Sequence, residues 1–201
     1  KVLEKRRKVA RNDKEVAKEV EVLDKVKAVL EEGKSARVLN LNDDEKKLLR
    51  SYQLLSTKPI IYVCNVNEED AAANGEGNSY VQAVRDFAAS ENAEVSIVSA
   101  KIEQEISELE SEEEKKDFLE MLGLSESGTD KVIKDSYKTL NLISYLTTGE
   151  METRAWTITD GTKAVDAAGK IHSDISRGFI KAEIVSYEDL VEAGSINGAR
   201  E

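Results

Sequence analysis

KPIIYVCNVNE, Lys58 to Glu68, is the stretch that decides the fold. Its apolar run, Ile60-Ile61-Tyr62-Val63-Cys64, has the length and β-branched content of a buried strand. Pro59, the chain's only proline, introduces the run, and Asn65-Val66-Asn67-Glu68 ends it with polar side chains. A soft loop, Ala71 to Asn78, follows. The next segment, from about Ser79 to Ser90, carries Val81, Val84, Phe87 and Ala88 on one helical side. A second strand is expected from Glu94 to Val98, ending at Ser99-Ala100-Lys101. Strand, helix, strand over about 40 residues predicts a right-handed, parallel βαβ unit. Both strands then end on one edge, which brings Asn65 and Glu68 towards Ser99 and Ala100. In open α/β sheets that carboxyl edge is where ligands bind.

Upstream, Val2, Val9, Val16, Leu23 and Leu30 recur every seven residues, with Val20 and Val26 beside them. That spacing predicts an apolar helical stripe of coiled-coil type. Asn12-Asp13 interrupts it, so one long helix or a hairpin bent there both fit, and Gly33 reads as a helix C-cap. Leu41-Asn42-Asp43-Asp44-Glu45 opens a further helix expected to reach about Leu55. Downstream, helices are expected over 103–121 and 129–140. From Asn141 the character changes to short strand-like runs at 142–147, 154–159 and 179–186, with a small helix near 164–169. The organisation expected is therefore a helical segment over 1–50, an α/β segment over 51–140 and a small α+β domain over 141–201.

Charged residues make up 34% of the 201-residue chain and aromatics 5%, a helix-rich composition of cytoplasmic type. No apolar stretch approaches the roughly 20 residues that span a bilayer, and the charged amino end has no signal-peptide core. A net charge of −11 argues against a general nucleic-acid binder, and no DNA partner is expected. Lys1, Lys5, Arg6, Arg7, Lys8 and Arg11 nevertheless cluster at one end against Glu4 alone, where they could meet RNA phosphates or simply form a solvated face. Cys64, inside the apolar run, reads as a buried structural thiol. His172 has no companion for a metal and reads as a capping or surface residue, and Trp156 as core. The chain begins with Lys, already in mid-pattern, and reads as a piece of something longer.

An Asn with an acid three positions on, after such a strand, is how many P-loop NTPases read a purine. The amide can donate to a ring nitrogen while its oxygen holds a neighbouring loop, and a carboxylate accepts from base N–H groups. The common guanine-reading motif is N-K-x-D. Here Val66 stands at the Lys position, and Glu68 is one methylene longer than Asp. Guanine offers two donors, N1–H and the 2-amino group. Adenine has an acceptor at N1 and no 2-amino group, so relaxing the carboxylate's fit relaxes the guanine preference.

The chain closely resembles the YchF/Obg-like ATPase family, translation-factor-class P-loop NTPases with a TGS domain. The resemblance is carried by KPIIYVCNVNE, by Ser99-Ala100-Lys101, by Gly33-Lys34 with Ala36-Arg37, and by RAWTITDGTKAVDAAGKIHSDISRGFIKAEIVSYEDL from Arg154 to Leu190. It implies the carboxyl half of a P-loop NTPase domain with a helical coiled-coil insertion, plus an incomplete ubiquitin-like (β-grasp) TGS domain. It also implies a ribosome-associated hydrolase that favours or accepts ATP over GTP, with Mg²⁺. By carry-over, Asn65 orients the base loop and contacts the purine, Val66 packs on the ring, and Glu68 sits at the base edge. Ser99, Ala100 and Lys101 form the other purine loop. The sequence departs from the family in lacking any G-x-x-x-x-G-K-[ST], so the phosphate loop and the Mg²⁺ ligands are expected in an upstream part. No catalytic residue is expected within the chain. The alternative reading is a non-catalytic module that binds the ribosome or RNA.

Overall fold

The structure, a computed structural model, describes residues 1–149 and 152–200. Backbone contacts divide the chain into two compact units, Lys1–Leu140 and Asn141–Glu201.

The first unit opens with two helices that pack on each other, α1 (Val2–Ala10) and α2 (Lys14–Glu31). Of the two arrangements open from sequence, the bent one is found. The Asp13 carboxylate accepts from the backbone N–H groups of Glu15 and Val16 and so starts a new helix. That break resets the helical phase. The seven-residue stripe is buried only in part: Val2, Val9 and Leu30 lie exposed, whereas Leu23 joins a core built with Val22, Val26, Ala36, Leu41 and Leu49. Gly33, at φ +75°, lets the chain reverse after α2, while the Lys34 N–H returns to the Val29 carbonyl. The next helix, α3 (Asp43–Arg50), is opened by a capping box between Asn42 and Glu45. It ends five residues short of Leu55, because Gln53 takes a positive φ and turns the chain towards Pro59.

The βαβ unit follows as expected in kind. β1 (Ile61–Asn65) pairs in parallel with β2 (Glu94–Val98) in the register Ile61↔Glu94 to Asn65↔Val98. Between them lie α4 (Glu68–Ala72) and α5 (Ser79–Ser90). The stretch after Glu68 is thus a short helix rather than loop, because Asn67 accepts from the Asp70 N–H as an N-cap. β1 is less buried than its composition implies: Val63 is 52% exposed and Cys64 only half-buried. Among the described residues β1 has one strand neighbour, β2.

The expected helix over 103–121 is two helices, α6 (Ala100–Ser107) and α7 (Glu112–Met121). A capping box between Ser111 and Glu114 nucleates the second, a signature present in the sequence as S-x-x-E. α8 (Gly128–Thr139) closes the unit. Side chains alternate along β2, so opposite faces take different helices. Tyr62 meets Phe87 of α5 edge-on, with ring centroids 5.8 Å apart, whereas Ser96 hydrogen-bonds Asp135 of α8. The two-stranded sheet is thereby sandwiched. Gly128 is required at the α8 start, since a Cβ there would lie 2.7 Å from Val98 Cγ1.

In the second unit β3 (Leu142–Thr148) and β4 (Thr153–Thr159) form an antiparallel hairpin against which α9 (Ala164–Ile171) packs. Tyr145 OH donates to the Ala167 carbonyl, and Ile158 and Ala168 are the buried apolar residues. α10 (Ser173–Arg177) and α11 (Tyr187–Ala193) follow. The run over 179–186 is not a strand: neither β3 nor β4 pairs with it, and Ile180 is 92% exposed. Trp156 is half-buried rather than core, its Nε1–H donating to Thr147 and its ring under the Arg154 guanidinium at 4.4 Å. His172 is a capping residue, its Nδ1 accepting from the Asp174 N–H.

One buried carboxylate ties the helical segment to the sheet. Glu91, 8% exposed at the end of α5, accepts from Ser35 Oγ (2.5 Å), Tyr62 OH (2.8 Å) and Arg37 Nη1 (3.1 Å). The Ser35 and Tyr62 hydrogen bonds, then the Arg37 charge, hold its carboxyl below the usual carboxylate range. Removing one member of a buried ion pair strands the other. Glu91→Ala should therefore cost the first unit about 3 kcal/mol, a melting shift of roughly 8 °C in thermal unfolding at neutral pH. A lowered folded value means stability that is complete above the unfolded carboxylate range and lost as pH falls through the folded value. The gap between wild type and Glu91→Ala should accordingly close in acid.

Candidate functional site

The two parallel strands end side by side, and what leaves them forms a cleft. The Val66 N–H donates to the Val98 carbonyl at 2.8 Å, carrying the ladder one residue beyond β1. Asn65 then turns its side chain across the strand ends, and Oδ1 accepts the Ala100 N–H at 3.0 Å. This bond pins the first residue of α6 to the last residue of β1 and leaves both amide hydrogens of Asn65 as donors. The expected convergence of Asn65 and Glu68 with Ser99 and Ala100 is therefore present in the geometry.

An open cleft of ≈ 500 Å³ is lined by Asn65, Val66, Asn67, Glu68, Glu69, Ser99, Ala100 and Lys101. All six residues singled out in the sequence line it, and the volume lies within the roughly 300–1,000 Å³ of small-molecule sites. Val66 lines it with its N–H already committed to Val98, and Ser99 is buried beneath the turn into α6. The cleft also holds a pairing that sequence spacing did not reveal. Lys101 Nζ sits on Glu68 Oε1 at 2.5 Å and approaches Glu105 at 3.8 Å, one turn further along α6. The hydrogen bond to Glu68, then the charges of Glu68 and Glu105, raise the Lys101 ammonium above its ordinary value. Asn67 does not serve the cleft through its side-chain oxygen, which caps α4.

A smaller cavity of ≈ 240 Å³ lies between α6 and α8. Its charged groups Glu103 and Lys131 are already matched. Glu103 accepts from the N–H groups of Gly128 and Thr129 and from Thr129 Oγ1, and Lys131 donates to Asn74 Oδ1. Glu103 thereby anchors α6 two residues after Lys101. Sequence reasoning missed this tie because Glu103 lies 25 residues from Gly128. Among the described residues no group of three or more His, Cys, Asp or Glu is placed to hold a metal ion. No described helix is long and apolar enough to cross a membrane.

Comparison with known proteins agrees with this architecture. Residues 142–201 match the family model YchF-GTPase_C, described as "Protein of unknown function (DUF933)". Over 189 residues the chain is 51% identical to the "Ribosome-binding ATPase YchF" of Bacillus subtilis (strain 168), covering 94% of this chain and 51% of that protein. It is 43% identical, over the same shares, to the protein of that name from Haemophilus influenzae. The structure of the Schizosaccharomyces pombe YchF GTPase aligns with a TM-score of 0.82 at 32% identity, covering 98% of this chain and 54% of that one. The chain spans about half the length of the curated relatives it matches. With sequence identity of this order across both units, and a solved relative of the same fold, the chain belongs to the YchF family.

Proposed function

We propose that this chain supplies the purine-reading and ribosome-docking parts of a cytoplasmic nucleoside triphosphatase that accepts ATP at least as well as GTP. The observation that carries the reading is the Asn65–Ala100 bond across the ends of β1 and β2. It holds two loops at fixed separation on rigid elements, which is what discrimination between similar bases needs. In this reading Asn65 donates to the purine, Val66 packs on its face, and Glu68 and the backbone at Ala100 meet its edge. The relatives named above are ribosome-binding ATPases by title, and that association is proposed for this chain. The β3–β4 hairpin with α9 is proposed as part of a TGS module, and α1 with α2 as part of a coiled-coil insertion.

The chemistry of hydrolysis is proposed to reside elsewhere. Phosphoryl transfer depends on a loop cradling the phosphates and on Mg²⁺ bridging them, and these 201 residues contain no G-x-x-x-x-G-K-[ST]. Their contribution is to bind and orient the base. α1 adds a second contact. Arg6 and Arg7 are held by Tyr52, Glu19 and Asp24, so they tie the hairpin together. Lys5, Lys8 and Arg11 are exposed and remain for phosphates, the observation that favours RNA docking by this end.

Three outcomes test the proposal. The purified 201-residue chain should show no ATP or GTP turnover above buffer in a phosphate-release assay. In the full-length protein, Val66→Lys with Glu68→Asp should move the ATP/GTP affinity ratio towards GTP by about tenfold, measured with fluorescent nucleotides. An unchanged ratio would remove these residues from discrimination. Reversal of Lys5, Lys8 and Arg11 to Glu should leave the melting temperature unchanged while weakening ribosome cosedimentation. The salt slope of binding should flatten by about three if each meets one phosphate.

A further inference from the structure

Glu68 would be an awkward group for an adenine-accepting cleft if its carboxylate stood free. An ionised carboxylate only accepts hydrogen bonds, whereas N1 of adenine is also an acceptor. Two acceptors facing each other repel, and the cost grows once a base excludes water. Guanine meets the same group with two donors. A free Glu68 therefore biases the cleft towards guanine, against the reading proposed above. The structure contains a device that removes this conflict. Lys101, from the opposite loop, reaches across the cleft and occupies Oε1 of Glu68. Among the eight residues lining the cleft it is the one cation, while Glu68 and Glu69 are its acids.

The geometry is not that of a pair serving the fold. Lys101 is 70% exposed and Glu68 39%, and exposed pairs contribute little to folding. Nor is Lys101 held by one partner alone, since Glu105 stands 3.8 Å away. What is fixed is the backbone. Asn65 clamps Ala100, and Glu103 anchors the turn that follows. The lysine's origin is thus positioned more firmly than its tip, which suits a side chain that covers a neighbouring carboxylate.

We propose that Lys101 is a specificity-determining residue of this cleft, which masks the Glu68 carboxylate and so makes the base edge compatible with adenine. This rests on the purine-site reading. The masked pair presents ammonium N–H donors, from which N1 of adenine can accept, and one remaining carboxylate oxygen, to which the 6-amino group can donate. Removing the lysine returns Glu68 to an acceptor-only group matched to guanine. The preference therefore lies in the pair rather than in the N-x-x-E residues alone.

The test is a double-mutant cycle in the full-length protein, read as the ratio of ATP to GTP affinities with fluorescent nucleotides. Lys101→Met should shift the ratio towards GTP by about fivefold, and Lys101→Arg, which keeps the cation, should leave it within about twofold of wild type. In a Glu68→Gln background, where no carboxylate needs masking, Lys101→Met should no longer change the ratio. A shift of the same size in both backgrounds would mean that Lys101 acts on the base independently of Glu68 and would overturn the proposal. So would an unchanged ratio in Lys101→Met. Failure of the underlying site looks different: wild type then binds neither nucleotide, or Asn65→Ala leaves both affinities intact.

Discussion

The five-pair parallel ladder between β1 and β2, running from Ile61↔Glu94 to Asn65↔Val98, positions everything that follows. Side chains alternate faces along a strand, so a slip of β1 by one residue would carry Tyr62 from the α5 face to the α8 face. The Tyr62–Glu91 hydrogen bond would be lost. The slip would also set Asn65 out of step with Ala100. Register in this two-strand ladder is thus specified by polar contacts as well as by hydrophobic burial. The cleft is where that register becomes visible at the surface.

Charged groups in this chain fall into two energetic classes, and the distinction sorts structure from function. Arg37 and Glu91 are 14% and 8% exposed at the side chain, and the carboxylate's other lone pairs are filled by two hydroxyl donors. Such a pair is costly to break because each partner is desolvated. The many exposed pairs on helix faces, Lys27–Glu31 and Lys47–Asp44 among them, carry no comparable penalty. Lys101–Glu68 belongs by exposure with the second class, yet it joins two loops from different strands across a cleft. A pair in that position has little to do for the fold.

What the sequence makes legible follows from the range of the interactions involved. The β1–α5–β2 order rests on local periodicity and on punctuation by Pro59 and by the loop that ends at Asn78, and α5 spans Ser79–Ser90 as its apolar spacing predicts. The heptad misleads at Val2 and Val9 because periodicity carries no information about phase across a break at Asp13, whereas within α2 its Leu23 is buried. The run over 179–186 has strand composition, but strand formation needs a partner, and composition cannot supply one. In the cleft, the convergence of the Asn65 and Ala100 loops is topological and could be read from the parallel crossover. The Lys101–Glu68 pair could not, since it depends on side-chain reach between residues 33 apart in sequence.

β1 carries two attachments whose proximity has a mechanical consequence. Tyr62 is bonded to Glu91, which also holds Ser35 and Arg37 at the foot of the helical hairpin. Asn65, three residues on, is bonded to Ala100 in the cleft. At about 3.3 Å per residue the two attachments lie roughly 10 Å apart along one extended segment. No loop intervenes to absorb a displacement, and an extended strand held by a ladder bends less readily than it translates. A load on the helical hairpin that pulls on Ser35 and Arg37 is therefore delivered, through Glu91 and Tyr62, to the strand whose end builds the cleft. The hairpin and the cleft are thus linked through one strand, and the Glu91 carboxylate is the joint between them.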